Sequence, residues 1–300
     1  MRRRLALAAL LVATPAAAHV TAVPHAEPGW TFAPELAIPL GLSAVLYALG
    51  AIRLSRRSAG GRRPLRPRAA LFGAGWLCLA ASVVSPLHQA GELSFTAHMI
   101  EHELLMLAAA PLLVLSRPLA PLLWAFPAAA RRGLGRVGAW PPLRAGWRGV
   151  SAPVTATLIQ AAALWLWHAP ALFDRALASD GWHIAQHLSF LVSALIFWSA
   201  MLHPKAQRAG VAAVCLFATS VVAGFLGALM AFSASPWYAR YAAMGLAPFG
   251  LTPAEDQQLA GLLMWIPGGL VHAAAALALV ARALRPAGLP RGAGSATSHP

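Results

Sequence analysis

The sequence repeats apolar runs of about 20 residues, separated by short polar segments. A run of that length crosses the hydrocarbon core of a bilayer as a helix, and lipid tolerates only helices and closed barrels as spanning structures. Apolar residues make up 59% of the chain and charged residues only 11%, which excludes an ordinary soluble domain. The pattern therefore predicts an all-α, polytopic membrane protein in contact with a lipid bilayer.

Seven such runs follow an N-terminal leader, which predicts a bundle of seven transmembrane helices. Their expected bounds are 34–54, 69–87, 95–115, 151–169, 182–202, 209–232 and 259–284. The apolar segment 118–126 is too short to span, so we expect it to lie in the membrane interface. Because no polar segment is long enough to build its own core, residues 34–285 form one predicted transmembrane domain.

Both ends of the chain differ from this domain. Residues 1–18 combine a basic start, a short apolar stretch and a small-residue end, which is typical of a secretory signal peptide. Cleavage after Ala18 would leave residues 19–33 as a periplasmic segment, and an uncleaved signal anchor is the alternative. Residues 286–300 are rich in glycine, alanine and proline, which predicts a disordered tail.

The net charge of +14 arises from arginines in alternate loops. Arginines occupy 53–68, 117–148 and 282–291, whereas the acidic residues of 170–181 and 233–258 fall on the other side. Positively charged loops stay in the cytoplasm, so the chain is predicted to lie in a bacterial inner membrane. Its N-terminus after cleavage would be periplasmic and its C-terminus cytoplasmic. Topology thus accounts for the charge, and no nucleic-acid partner is expected.

This topology brings histidines together at the outer ends of the spans. Six of the eleven histidines lie there: His88, His98, His102, His168, His183 and His187. Residues four apart project from one helical face, so the pair His98 and His102 and the pair His183 and His187 each form one polar face. We expect the two pairs to face each other at a similar depth.

Buried imidazoles and carboxylates are costly unless they are paired or hold a metal. Histidine and carboxylate ligands suit copper, iron or zinc, and the nearby methionines Met99, Met106 and Met264 would suit Cu(I). The predicted metal ligands are His98, His102, His168, His183, His187, Glu101 and Asp256. The alternatives are hydrogen-bonded packing for the histidines, packing for the methionines, and a helix cap or a pair with Arg175 for Glu101.

Two other functions fit parts of the pattern. A b-type haem needs two histidines that face each other from different helices, which would make the chain an electron-transfer protein. A copper-permeation pathway needs polar or sulfur residues through the whole bilayer; Met264 and His272 fit it, but the inner halves of the third to fifth spans are nearly all apolar. No catalytic motif is present, so the sequence predicts no enzyme.

Four stretches give the chain a resemblance to a known family. They are HMIEHELLM (98–106) with APLL (110–113), WHAP (167–170) with FD (173–174), HIAQHLSF (183–190) and DQQLAGLLMW (256–265). In order and spacing they resemble the multi-spanning CtaG family, the assembly factors of caa-type cytochrome c oxidase. The resemblance covers about residues 30–285.

The resemblance implies a seven-helix inner-membrane protein that acts in the maturation of a haem–copper oxidase. It further implies a copper chaperone whose partners are the oxidase subunits. Histidines 98, 102, 168, 183 and 187, together with Asp256, match polar positions of the family. Copper is accordingly the expected metal.

Overall fold

The computed structural model describes residues 28–57, 62–203 and 209–284, with the side chains of 62–64 left out. The predicted signal peptide, most of the predicted periplasmic segment and the predicted tail lie outside the described residues. The described part is helical and contains no β-strand, which confirms the all-α fold class.

Thirteen helices follow one another along the described ranges. They are α1 (Pro34–Arg57), α2 (Arg62–Val84), α3 (Pro86–Leu93), α4 (Phe95–Ser116), α5 (Leu119–Trp124), α6 (Ala128–Ala139), α7 (Pro141–Val150), α8 (Pro153–His168), α9 (Pro170–Ala178), α10 (Asp180–Leu202), α11 (Ala209–Ala231), α12 (Ala239–Ala243) and α13 (Pro253–Ala283). A single 3₁₀ turn, Pro248–Gly250, precedes α13.

Six helices are long and apolar enough to cross a bilayer, namely α1, α2, α4, α10, α11 and α13. A seventh span results if α7 and α8, which meet at a bend of 68°, count as one. The structure therefore contains six to seven candidate spans, in agreement with a polytopic bundle.

Several segments that lie between the predicted spans are helical. Segment 88–94 belongs largely to α3, which begins because Pro86 occupies its first turn and the Ser85 hydroxyl accepts a hydrogen bond from the Leu87 amide. The last span begins at Pro253 instead of residue 259, because Thr252 and Glu255 form a capping box ahead of the apolar run. Hydropathy detects the apolar part of a helix and misses such polar first turns.

Helix α4 lies at the centre of the bundle, in contact with α2, α3, α10 and α13. The apolar windows of α4 and α10 are 44% and 50% buried, against 11% for α1. Helices α4 and α10 run parallel, since the His102 and His187 rings lie 5.0 Å apart near their starts. Near their ends Arg117 Nε donates to His203 Nε2 at 3.3 Å. Polar residues at the starts of these two helices therefore reach the interior of the bundle.

Helices α11 and α13 are in close backbone contact at two glycines. A Cβ atom on Gly261 would lie 2.4 Å from the carbonyl oxygen of Gly227, and one on Gly227 would lie 2.7 Å from the carbonyl oxygen of Gly261. Small residues permit this backbone contact between membrane helices. The contact positions α13, the helix that carries Asp256.

A π-helical turn, Leu104–Ala109, interrupts α4. The Ala110 amide bonds to the carbonyl of Leu105, and in the same register the carbonyl of Met106 would need the amide of Pro111, which has no N–H. Trp198 Nε1 supplies the missing donor to Met106 at 2.8 Å. The turn begins two residues after His102, the second of the two histidines near the start of α4.

Candidate metal centre

Three histidines from α4 and α10 form the first group of donor atoms. His98, His102 and His187 each offer a nitrogen atom, and these atoms lie within 4.8 Å of one another. All three side chains are buried. Nε2 of His98, both ring nitrogens of His102 and Nε2 of His187 have no hydrogen-bond partner. Buried polar atoms normally have a hydrogen-bond partner, so these four unpartnered nitrogens are available to coordinate a metal ion. We call it the inner triad.

A second group contains Glu101, His183 and His187 together with His88, which was not among the predicted ligands. Its donor atoms also lie within 4.8 Å of one another. His88 Nδ1 lies 2.7 Å from Glu101 Oε1, and His187 Nδ1 lies 3.4 Å from the same oxygen. The His88 and His183 rings stack with their centroids 5.1 Å apart. Glu101 thus contacts histidines, whereas its alternative partner Arg175 lies over the ring of Trp182.

The position of His88 depends on α3. Helix α3 packs closely on α4 at Gly91, where a Cβ atom would lie 3.2 Å from the Cα of His98 and 3.3 Å from Glu101 Oε2. Tyr241 Oη donates to the Gly91 carbonyl at 2.5 Å and holds α3 in place. The sequence indicates His88 only by its place at the end of an apolar run, because segment 88–94 falls between two predicted spans.

His88 lies outside the spanning helices, and its charge state reflects several neighbours. Burial by itself would lower the pKa of His88, but the hydrogen bond and negative charge of Glu101, with smaller contributions from Glu92 and Asp180, raise this pKa above the ordinary histidine value. The surroundings of His88 therefore favour positive charge.

His168 lies beside the inner triad without joining either group. Its Nδ1 lies 2.7 Å from the carbonyl oxygen of Leu164, one turn earlier, and its Nε2 is buried with no partner. The His168 and His102 ring centroids are 6.4 Å apart. The structure thus places His168 next to the cluster, but His168 belongs to neither group of donor atoms.

Asp256 anchors the start of α4 from helix α13. Its two carboxylate oxygens accept hydrogen bonds from the Ser94 hydroxyl at 2.8 Å, the Phe95 amide at 2.6 Å and the Thr96 amide at 3.2 Å. Such bonds satisfy the free amides of a helix N-terminus. Asp256 belongs to neither group of donor atoms, and its role as a ligand stays a prediction.

None of the three methionines that were considered as copper ligands belongs to a donor group. Met99 is fully buried in the apolar core. Met106 and Met264 line a small cavity deeper in the bundle, whose wall also contains Glu103, Gln160 and His272. Gln160 Nε2 donates to Met106 Sδ at 3.3 Å. Sequence reasoning did not single out Glu103 or Gln160.

A cleft of about 800 Å³ reaches the histidines from the side of α1 and α3. His88, His183 and His187 line its wall, and the acidic residues Glu35, Glu92 and Asp180 line it as well. None of the described residues that line the cleft is a lysine or an arginine. A cleft lined by negatively charged carboxylates attracts cations.

Fold and site together define a polytopic helical membrane protein with a cluster of buried imidazoles near the starts of two interior helices. The family model of the cytochrome c oxidase caa3 assembly factor (Caa3_CtaG) matches residues 45–286. That range covers most of the chain, so the protein belongs to this family, as the resemblance of its motifs predicted. Neither the curated proteins nor the solved structures include a match.

Proposed function

We propose that the protein binds copper at the inner triad and delivers it to a haem–copper oxidase during assembly. Membership of the caa3 assembly factor family supports the oxidase as the recipient. The observation that carries the copper site is the convergence of His98, His102 and His187, whose donor atoms lie within 4.8 Å of one another. Together these rings leave four buried nitrogens without a partner, which are Nε2 of His98, Nδ1 and Nε2 of His102, and Nε2 of His187.

Imidazole is a good ligand for copper, and three imidazoles leave a coordination position open for exchange. Delivery then needs ligand exchange and no chemical turnover, which is why we assign a chaperone role and no enzymatic one. His168, whose free Nε2 lies beside His102, supplies a further ligand when copper moves within the cluster. Asp256 holds the start of α4 in position.

The topology predicted from the charged loops places this cluster on the periplasmic side of a bacterial inner membrane. On that side the protein would meet the periplasmic face of the oxidase. Orientation is testable by labelling single cysteines introduced at Gln89 and at Gly135 with a membrane-impermeant thiol reagent in intact cells. Labelling at position 135 and protection at position 89 would show that the orientation is the opposite of the one proposed.

The histidine geometry does not favour a haem between the two helices. The His98 and His183 rings stack with their centroids 5.2 Å apart, and the His102 and His187 rings are 5.0 Å apart. Rings this close leave no room for a porphyrin between them. A Soret band in the absorption spectrum of the purified protein would overturn this assignment.

The main test compares copper content and oxidase activity in a double variant, His98→Ala/His102→Ala. We expect the protein to insert into the membrane while its copper content and the activity of the oxidase fall. His272→Ala is the matched control, because His272 is also a buried histidine but contributes to neither donor group. Wild-type copper content and oxidase activity in the double variant would refute the proposed function.

A further inference from the structure

We propose that the protein has a second metal site, formed by His88, Glu101 and His183, which shares His187 with the inner triad. The site would take a divalent first-row transition cation, Cu²⁺ or Zn²⁺. We call these four residues the outer site. Its existence stands on its own set of donor atoms, whereas its use as a loading site for the inner triad rests on the proposed function.

The donor set of the outer site fits such a cation. Three imidazoles and one carboxylate offer atoms that lie within 4.8 Å of one another. Histidine nitrogen together with carboxylate oxygen is a ligand combination used for Zn²⁺ and accepted by Cu²⁺. The oxygen gives the outer site a harder ligand than any in the inner triad.

An ordinary ion pair explains only part of this arrangement. His88 Nδ1 at 2.7 Å already satisfies Glu101 Oε1. Nε2 of His183 and the second oxygen of Glu101 stay buried with no hydrogen-bond partner. Leaving several buried polar atoms unsatisfied destabilises a fold, and a cation among them would satisfy these atoms together.

His187 connects the two sites. Its Nδ1 lies 3.4 Å from Glu101 Oε1, on the side of the outer site, and its Nε2 has no partner. His187 belongs to both donor groups. We infer that each ring nitrogen serves one site, so that the ring bridges two cations when both are bound. The bridging ring then releases its N–H proton to solvent, and its negative charge, with that of Glu101, offsets the repulsion between the cations.

The cleft gives the outer site the first contact with an incoming cation. His88, His183 and His187 line the cleft, whereas His98 and His102 are absent from its wall. The cleft carboxylates Glu35, Glu92 and Asp180 would concentrate cations beside the outer site. A cation that enters here can pass to the inner triad through the shared ring of His187.

The test measures the number of metal ions bound by the purified full-length chain, by equilibrium dialysis against Cu²⁺ and, separately, against Zn²⁺. We expect two equivalents for the wild type, one for His88→Phe and one for His102→Phe. The phenylalanine keeps an aromatic ring in place and removes the ligand. His272→Phe is the matched control and should keep two equivalents.

Glu101→Gln is a second variant in case His88→Phe fails to fold, because it preserves the volume of the side chain and a hydrogen bond to His88. It should also bind one equivalent. One equivalent in the wild type that persists in His88→Phe and disappears in His102→Phe would refute the outer site and leave the inner triad intact. Absence of binding in every protein, the wild type included, would refute both sites.

Electron paramagnetic resonance of the protein loaded with Cu²⁺ tests the shared ring. Two Cu²⁺ ions bridged by one imidazole should give a spin-coupled spectrum, and His88→Phe should give the spectrum of an isolated Cu²⁺ ion. Two uncoupled Cu²⁺ signals in the wild type would overturn the bridging role of His187.

Discussion

Two polar regions lie along helix α4, and they use their polar atoms differently. The inner triad and the outer site gather donor atoms within 4.8 Å of one another. The deeper cavity, with Glu103, Gln160 and His272 in its wall, has a volume of about 40 Å³, which holds roughly two or three water molecules. Among the described residues, those of the deeper cavity form no convergent group of metal donors.

Two side chains of the deeper cavity, His272 and Gln160, have local partners instead. His272 Nδ1 lies 2.8 Å from the Gly268 carbonyl, and the His272 ring stacks on Trp198 with an interplanar angle of 2°. Gln160 bonds to Met106. Polar residues inside a membrane are thus not by themselves evidence of a metal site, because donor atoms must also converge.

The π-helical turn of α4 lies next to both regions, because it begins directly after His102 and Glu103. Glu103 directly precedes the turn, and Met106 lies within it. Its position fits the frequent use of π turns beside functional sites. A copper-permeation pathway would have to continue from the inner triad into the deeper cavity, so substitutions in the two regions distinguish delivery from permeation.

The largest effect is expected for single substitutions in the inner triad. His102→Ala removes a buried ligand whose two nitrogens have no other partner, so we expect copper affinity to fall by about 100-fold or more, equivalent to about 3 kcal/mol. His272→Ala should leave copper affinity unchanged. Competition with a chromophoric copper chelator measures both. Equal losses of copper affinity in the two variants would contradict the distinction between the inner triad and the deeper cavity.

A second prediction separates positioning from ligation at Asp256. Asp256→Ala removes three hydrogen bonds to the start of α4, and we expect it to lower the free energy of unfolding by about 2–4 kcal/mol. Asp256→Asn should lower the free energy of unfolding by less, because the side-chain oxygen of asparagine can still accept a hydrogen bond from the start of α4. Thermal unfolding of the metal-free protein in detergent provides the measurement. Unchanged stability combined with lost copper would instead identify Asp256 as a ligand.

The sequence predicted those features that depend on local periodicity. The spacing of His98 and His102, and of His183 and His187, placed each pair on one helical face, and the rings meet across α4 and α10. What the sequence did not predict depends on long-range contacts. The hydrogen bonds of Asp256 join residues 160 or more positions apart, and His88 reaches Glu101 only because α3 is helical.

The π-helical turn also limited what periodicity could predict. A regular period of 3.6 residues does not hold across Leu104–Ala109, so the face on which a residue lies beyond the turn does not follow from its spacing to His102. Met106 illustrates this, because it was expected beside the histidines and lines the deeper cavity. Pro111 is the sequence feature that points to the irregular turn.

A third prediction concerns the turn itself. Trp198→Phe keeps an aromatic ring but removes the N–H group that satisfies the Met106 carbonyl, and we expect a loss of about 1–2 kcal/mol in stability. Copper affinity should change less than in His102→Ala, because Trp198 contributes to neither donor group. Thermal unfolding and chelator competition on the same preparation would show both effects. A stability equal to that of the wild type would mean that a water molecule replaces the indole donor.

The smallest effect is expected at Glu103. One of its carboxylate oxygens is buried with no hydrogen-bond partner, and the residue lies in the wall of the deeper cavity, close to Gly268. Glu103→Gln keeps the shape and replaces an ionisable group by a neutral one, so we expect unchanged copper affinity and a stability equal to or slightly above that of the wild type. Copper uptake into proteoliposomes gives the decisive measurement. If the wild type transports copper and Glu103→Gln does not, the deeper cavity belongs to a permeation pathway, and the inner triad is its entrance instead of a delivery site.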